Sequence, residues 1–287
     1  MQGREEIIDR IRCGATPREA KTSIDARPEA TVVCVLGFDR SGTSVTTRLL
    51  NLLGMYLGPM GDLLEPDATD NPRGYWEPRW VIALNDELLA MRGGTQWRPP
   101  RAEPGWEWRP EFEPLRERAA RLLADKFGAA TLWGWKDPRT TLTLPFWRSL
   151  VPDARYVICV RNPLDAIASL QRRLEPKLST TAWGTVWMDY TLRALEQTHG
   201  KRRLLVVYED VVDHPASEIA RLAGFLGVDN CDPEPLVASV EAELCHHRHS
   251  LLELALDDRL PMKARALFLA LRAHRDERRR AAGGPTS

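Results

Sequence analysis

The chain has 287 residues, and its 40 lysines and arginines balance 40 aspartates and glutamates, so the formal net charge at pH 7 is +0. Without a net field, binding to nucleic acid or to an anionic membrane is not expected, and an anion site must come from locally placed basic residues. Hydrophobic residues make up 43% and charged residues 28%, as in a globular protein. No apolar run approaches the roughly 18 residues of a membrane span. The five cysteines are scattered and include no Cys-x-x-Cys pair, so we expect a reduced, cytoplasmic protein.

Residues 1–30 are charged and lack the apolar core of a signal peptide, so we expect a loosely attached leader. Downstream, short apolar runs predict strands, and apolar residues at helical spacing predict helices. We expect strands at 31–37, 131–135, 154–160 and 203–208 and helices at 44–54, 79–91, 111–127, 141–149, 163–174, 181–198 and 214–226. This alternation predicts a three-layer α/β fold, a central parallel sheet with helices on both faces. Residues 31–287 are expected to form a single domain whose C-terminal helical extension, about 232–287, contains a solvated helix end at 272–280.

The most informative segment is residues 31–44, an apolar strand that ends in a loop rich in hydrogen-bond donors and leads into a helix. This arrangement points backbone N–H groups and a helix N-terminus at an anion, and it predicts a nucleotide phosphate site. The spacing fits the Gly-x-x-x-x-Gly loop of ATP and GTP sites, but Thr43 stands where that loop carries its lysine. Together with Arg40 inside the loop, this difference favours a donor whose transferred group is not a γ-phosphoryl. The expected phosphate-binding residues are Arg40, Ser41, Gly42, Thr43 and Ser44.

A second candidate anion site follows the third predicted strand. Arg161 stands at the strand end, and Ser169 lies about two turns into the helix that Pro163 begins. The guanidinium and the hydroxyl can hold one anion from two sides. Taken in isolation, the pair is equally compatible with a surface arginine and a helix spacer. Because ligands of parallel α/β sheets bind beyond the carboxyl ends of the strands, we expect this pair and the phosphate loop to form one site.

Three elements in this order resemble the sulfotransferase family: the Arg-Ser-Gly-Thr-Ser loop at 40–44, Arg161 and Ser169 eight residues apart, and Tyr208-Glu-Asp before a helix. The resemblance runs from about residue 31 to 228 and implies a P-loop-like sulfotransferase fold. It implies that the donor is 3′-phosphoadenosine 5′-phosphosulfate (PAPS) and that the nucleotide product is adenosine 3′,5′-bisphosphate (PAP). The loop would then cradle the 5′-phosphosulfate, the Arg161 and Ser169 pair would bind the 3′-phosphate, and Tyr208 would be among the cofactor-binding residues.

The chain resembles the tyrosylprotein and many bacterial sulfotransferases more than the cytosolic enzymes that act on phenols and steroids. The cytosolic members carry a loop lysine and a catalytic histidine, whereas this chain has Arg40 and no histidine before His199. In the former group a carboxylate serves as the base, and Lys136, within Lys-Asp-Pro, resembles the lysine that assists catalysis in the tyrosylprotein enzymes. The family's C-terminal Arg-Lys-Gly contact to the 3′-phosphate is missing. Arg248 is a candidate substitute, with a solvated surface residue as the alternative.

Sulfuryl transfer needs fixed cations near the bridging oxygen and a base for the acceptor hydroxyl. Arg40 and Lys136 suit the first role, although Lys136 also fits an ordinary surface lysine at a strand end. For the base we favour Glu77, which follows an Asn-Pro-Arg-Gly turn; a glutamate held by the dipole of the next helix is an equal alternative. We expect Asp137 to orient Lys136 or Arg139 instead. The base candidates are Glu65, Asp67, Asp70, Glu77 and Asp137.

Aromatic residues indicate the kind of acceptor. The tryptophans at 76, 80, 97, 106 and 108 suit a sugar ring, an aromatic or a lipid-like molecule, while Trp183 and Trp187 fit core packing at least as well. We therefore expect the acceptor to be a hydroxyl of a small molecule or glycoconjugate. The histidine-rich run at 245–249 has no second ligand pair at zinc spacing, so no metal is expected. The alternative functions are a P-loop small-molecule kinase and a nucleotide-binding module without catalysis.

Overall fold

The computed structural model describes residues 30–67, 71, 73–173, 178–228, 232–240 and 248–281, so the expected leader lies outside the described residues except for its last position. The strands are β1 Thr31–Gly37, β2 Leu132–Lys136, β3 Arg155–Val160 and β4 Arg203–Val207. The α-helices are α1 Thr43–Leu52, α2 Arg79–Met91, α3 Glu113–Phe127, α4 Thr140–Leu150, α5 Pro163–Arg173, α6 Thr180–Gln197, α7 Tyr208–Asp213, α8 Pro215–Leu226, α9 Glu234–Val237, α10 Leu251–Leu256 and α11 Met262–Ala281. Within these ranges, no helix combines the length and apolar character needed to cross a membrane.

The four strands form one parallel sheet in the order β2-β1-β3-β4. Val35 of β1 pairs with Lys136 of β2, and Gly37 pairs with Cys159 of β3. Because the connections from β1 lead to opposite sides, the carboxyl end of β1 lies where the strand order reverses, which is where such sheets bind ligands. The predicted parallel sheet is confirmed, and each predicted strand is observed within one residue at either end.

Both faces of the sheet are covered by helices. Successive side chains of a strand point to opposite sides, so each strand contributes to both layers. Cys34 and Leu36 of β1 lie in an apolar layer to which α2, α3, α4, α5, α6 and α11 contribute. Val33 and Val35 lie in the opposite layer, which is packed against α1, α7 and α8. The expected three-layer arrangement is therefore confirmed.

The tryptophan pair on α6 belongs to the core. Trp183 and Trp187 are 3% and 0% exposed. The ring of Phe38, which immediately follows β1, packs edge-on against Trp183 with 6.5 Å between the ring centroids. Core packing, one of the two interpretations of this pair, is therefore correct.

The C-terminal part of the chain differs from the expected solvated helix end at 272–280. Arg275 and Arg279 on α11 are only 3% and 5% exposed. Arg275 Nε lies 3.2 Å from Oδ2 of Asp210, and its Nη2 contacts Oε1 of Glu218. The expectation was wrong for this face of the helix. Its arginines are buried against carboxylates of α7 and α8, which lie far away in the sequence. Arg278, between the two buried arginines, is exposed as expected.

Candidate active site

The phosphate loop joins β1 to α1 along a backbone path that few residues allow. Gly42, the N-cap of α1, has a φ of 82°, and a Cβ on it would lie 2.5 Å from Cδ2 of Tyr208. Arg40 has a φ of 62°, a left-handed conformation that residues other than glycine rarely adopt. Ser41 is 1% exposed, and its Oγ has no hydrogen-bond partner among the described residues. An anion at the N-terminus of α1 would satisfy such a hydroxyl.

The predicted residues of the second anion site lie directly beside this loop. Arg40 Nε donates a hydrogen bond to Ser169 Oγ at 2.9 Å, and Arg161 Nη1 donates to the backbone carbonyl of Arg40 at 3.3 Å. The Arg161 guanidinium also lies 4.4 Å from the ring centroid of Tyr208, as in a cation–π contact. Tyr208 is the first residue of α7 rather than the last residue of a strand, which corrects the predicted boundary. Two guanidinium groups thus concentrate positive charge at one place in a neutral chain.

Lys136 and Glu77 form a buried ion pair, with 2.5 Å between Nζ and Oε1 and exposures of 1% and 7%. Lys136 Nζ also donates to Ser44 Oγ at 3.1 Å, so one ammonium group joins the phosphate loop to a carboxylate. Burial raises the pKa of Glu77 above its ordinary value of 4.5, and the positive charge of Lys136 opposes that rise. Lys136 is therefore not the surface lysine of the alternative interpretation. Glu77 lies two residues before α2, which begins at Arg79, and its charged partner is Lys136 rather than the N-terminus of that helix.

The other predicted base candidates differ from Glu77 in their surroundings. Glu65 and Asp67 are exposed, and Asp70 lies outside the described residues. Asp137 is 0% exposed and pairs with Arg139 at 2.9 Å, so it orients this arginine, one of the two expected partners.

The base candidates chosen from the sequence did not include Asp39, which follows β1. The Oδ2 atom of Asp39 is buried and has no hydrogen-bond partner among the described residues. Burial raises the pKa of Asp39 above its ordinary value of 3.8, and the charges of Arg139 and Lys136 oppose the rise. The negative charge of Asp39 in turn contributes to the raised pKa of Glu77. The available signal was the position of Asp39 directly before Arg40.

A shallow cleft opens beside the phosphate loop. Its lining includes Ser44 and Val45 of α1, Tyr208 of α7, Trp76 of the loop before α2, and Val240. The cleft therefore offers a largely apolar space that continues from the anion site.

Arg248, the candidate for a further 3′-phosphate contact, forms an ion pair with Asp213, and its side chain is 57% exposed. The neighbouring His249 is anchored at the start of α5, where its Nδ1 lies 2.5 Å from Oδ1 of Asp165 and its carbonyl accepts a hydrogen bond from Asn162 Nδ2 at 3.1 Å. The residue that follows Arg248 is thus held beside the second anion site. Residues 245–247 lie outside the described residues, and the described ones contain no group of three His, Cys, Asp or Glu that could hold a metal ion.

Comparison with known proteins identifies similar sequences and folds. A family model described as "Sulfotransferase family" matches residues 33–233. No curated protein sequence matches the chain. The sulfotransferase domain of the Synechococcus PCC 7002 olefin synthase is similar in structure, with a TM-score of 0.49, 17% identity and coverage of 88% of this chain and 98% of that one. For sulfotransferase STF9 from Mycobacterium avium the TM-score is 0.44, the identity 19% and the coverage 88% and 77%. For retinol dehydratase in complex with androsterone and inactive cofactor PAP, the TM-score is 0.37 and the identity 17%, with coverage of 81% of this chain and 68% of that one.

Proposed function

We propose that this chain, which belongs to the sulfotransferase family, transfers a sulfuryl group from PAPS to a hydroxyl of a small-molecule or glycoconjugate acceptor. The bond between sulfur and the bridging phosphate oxygen breaks, and PAP leaves with its electron pair. A bond between sulfur and the acceptor oxygen forms, and the acceptor proton passes to Glu77. Arg40 and Lys136 stabilise the charge that develops on the bridging oxygen.

The observation that carries this proposal is the grouping of Arg40, Arg161 and Ser169 beside the N-terminus of α1. The 2.9 Å and 3.3 Å hydrogen bonds among them hold two cationic groups against the phosphate loop. One helix N-terminus and two guanidinium groups suit a ligand with two separate phosphate positions on one nucleotide. ATP lacks a 3′-phosphate and would leave the Arg161 and Ser169 pair without its ligand.

Lys136 supports the catalytic part of the proposal because it contacts both sides of the reaction centre. It donates to Ser44 on the donor side and pairs with Glu77 at 2.5 Å. A fixed cation in a buried site stabilises developing charge more strongly than water does. Burial makes Glu77 a stronger base than an exposed glutamate, since it raises the pKa of the carboxyl.

Aromatic side chains near the start of the phosphate loop support an acceptor that carries a ring. Trp97 is partly exposed and packs edge-on against Trp183, with 5.3 Å between the centroids. Trp183 in turn contacts Phe38, which precedes the loop. Aromatic faces of this kind bury ring-shaped apolar or sugar surfaces well.

A thermal-shift experiment with PAP, 5′-AMP, and ATP plus Mg²⁺ tests the donor site. PAP is expected to stabilise the wild-type protein far more than 5′-AMP, because only PAP carries the 3′-phosphate. Arg161→Ala should remove most of that difference, whereas Arg172→Ala, at an exposed arginine of the following helix α5, should leave it intact. Equal shifts from PAP and 5′-AMP would refute the assignment, and a preference for ATP plus Mg²⁺ would favour a kinase.

A further inference from the structure

The turn between β3 and α5, which carries Arg161, is held by two segments that are distant in the sequence. The amide of Asn162 donates a hydrogen bond to Oε1 of Glu209 at 2.9 Å, and its side-chain Nδ2 donates to the carbonyl of His249 at 3.1 Å. Asn162 Oδ1 accepts from the amide of Leu164 at 3.0 Å and so caps the first turn of α5. Because Asn162 is only 2% exposed, water competes little with these bonds.

His249 is bound to the same helix a second time, through Asp165. The backbone amide of His249 donates to Asp165 Oδ1 at 3.0 Å, and its Nδ1 lies 2.5 Å from the same oxygen. A carboxylate only accepts hydrogen bonds, so Nδ1 is a protonated nitrogen of the ring. Asp165 is 1% exposed, whereas the side chain of His249 is 33% exposed. The imidazole therefore reaches from the surface to a buried carboxylate, and hydrogen bonds to charged groups are among the stronger ones in proteins.

The two residues that His249 contacts lie between the two residues proposed to bind the 3′-phosphate. Asn162 directly follows Arg161. Asp165 precedes Ser169 by four positions, so the two side chains lie on one face of α5, one turn apart. His249 thus spans the short stretch of backbone that sets the distance between the Arg161 guanidinium and the Ser169 hydroxyl.

We infer that His249 is a positioning residue for the 3′-phosphate site, an inference that rests on the proposed PAPS site. Its imidazole holds the first turn of α5 so that Arg161 and Ser169 keep the separation that one phosphate group requires. Groups that are held in place before the ligand arrives lose less freedom on binding, and this increases the affinity. His249 lies beyond residue 233, where the family match ends, so the C-terminal part of this chain contributes to the donor site.

The inference is tested by calorimetric titration of wild type, His249→Ala and His249→Asn with PAP and with 5′-AMP. His249→Ala removes the imidazole but keeps the backbone bonds, and it should weaken PAP binding by roughly 10-fold, the lower limit for one hydrogen bond to a charged group. Its affinity for 5′-AMP should not change, because 5′-AMP has no 3′-phosphate. In His249→Asn the side-chain amide can donate to Asp165 from nearly the position of Nδ1, so PAP affinity should return to that of wild type. The control is His274→Ala, at an exposed histidine of α11, which should change neither affinity.

Other outcomes count against the inference or against the donor site. Unchanged PAP affinity in His249→Ala overturns the positioning role, and equal losses for PAP and 5′-AMP mean that His249 only supports the fold. If His249→Ala does not fold, hydrogen exchange of the wild-type protein decides, because coupling between two sites is reciprocal. Saturating PAP should then slow exchange of the His249 amide more than saturating 5′-AMP does, and equal rates overturn the inference. Wild type that binds PAP no better than 5′-AMP would instead refute the proposed donor site.

Discussion

Replacing Glu77 by glutamine separates its proposed role as the base from its role in a buried ion pair. Removing one charge of a buried pair typically costs about 3–5 kcal/mol. Glutamine keeps an oxygen that can accept from Lys136 Nζ, so we expect the lower end, about 3 kcal/mol, which corresponds to a Tm decrease of roughly 6–12 °C. If Glu77 is the base, kcat should fall by about 10²-fold or more. PAP affinity should not weaken, because Lys136 keeps its charge.

The assay measures initial rates of sulfuryl transfer from radiolabelled PAPS to the best acceptor from a panel of phenols, sugars and fatty alcohols. PAP affinity by calorimetry and Tm are measured on the same preparations. Glu65→Gln is the matched control, because Glu65 is exposed and its loss should change neither kcat nor Tm appreciably. A lower Tm with nearly wild-type kcat would refute the base assignment and leave Glu77 as the counter-ion of Lys136. The base would then be sought at Asp39.

The raised pKa of Glu77 gives this substitution a pH signature. The folded state binds the proton of this carboxyl more tightly than the unfolded state does, so the group contributes stability below its ordinary pKa of 4.5. This contribution is lost as the pH rises through the higher pKa of the folded state. The stability of wild type relative to Glu77→Gln should therefore decrease across that window in denaturant titrations at a series of pH values. The transfer rate of wild type should rise across the same window as the carboxylate forms, and this rise should be absent from Glu77→Gln.

Three further substitutions or treatments test other parts of the site. Transfer should survive EDTA, because Arg40 and Lys136 supply the positive charge; a strict Mg²⁺ requirement in the rate assay would contradict this. Gly42→Ala should weaken PAP binding by about 10-fold or more in calorimetry, because its Cβ would lie 2.5 Å from a ring carbon at a φ of 82°; wild-type affinity would show that the loop can shift. Arg275→Met should lower the free energy of unfolding by about 3–5 kcal/mol in urea, since it leaves two buried carboxylates short of a partner, whereas Arg278→Met at an exposed position should change it by less than about 0.5 kcal/mol; equal effects would refute the buried role of α11.

The strands and the phosphate loop could be predicted because their signals are local. Residues 31–37 are β-branched and apolar in an unbroken run, which a buried parallel strand requires, and the loop at 40–44 follows at once. The position of Arg161 at a strand end followed from the same pattern. Parallel strands bring their carboxyl ends to one edge, so the proximity of the loop to Arg161 was also predictable.

The surroundings of Glu77 could not be predicted from the sequence because they depend on distant residues. Glu77 and Lys136 are separated by 59 positions, and Arg275 and Glu218 by 57. No periodicity of hydrophobic residues encodes such contacts, so the turn before Glu77 favoured this residue among five carboxylates without predicting its buried ion pair with Lys136. The arginines of α11 were interpreted as solvated for the same reason, since a run of charges normally indicates an exposed face when its partners are unknown.

The C-terminal helix has a consequence for the donor site itself. The family match ends at residue 233, yet Arg272 of α11 pairs with Asp210 at 2.7 Å between Nη1 and Oδ1. Asp210 lies two residues after Tyr208, whose ring contacts both the Arg161 guanidinium and the position of Gly42. Leaving a buried carboxylate without its charged partner is destabilising, so the arginines of α11 help to hold α7 in place. The part of the chain beyond the family match therefore helps to position the ring against which the phosphate loop and the second anion site are built.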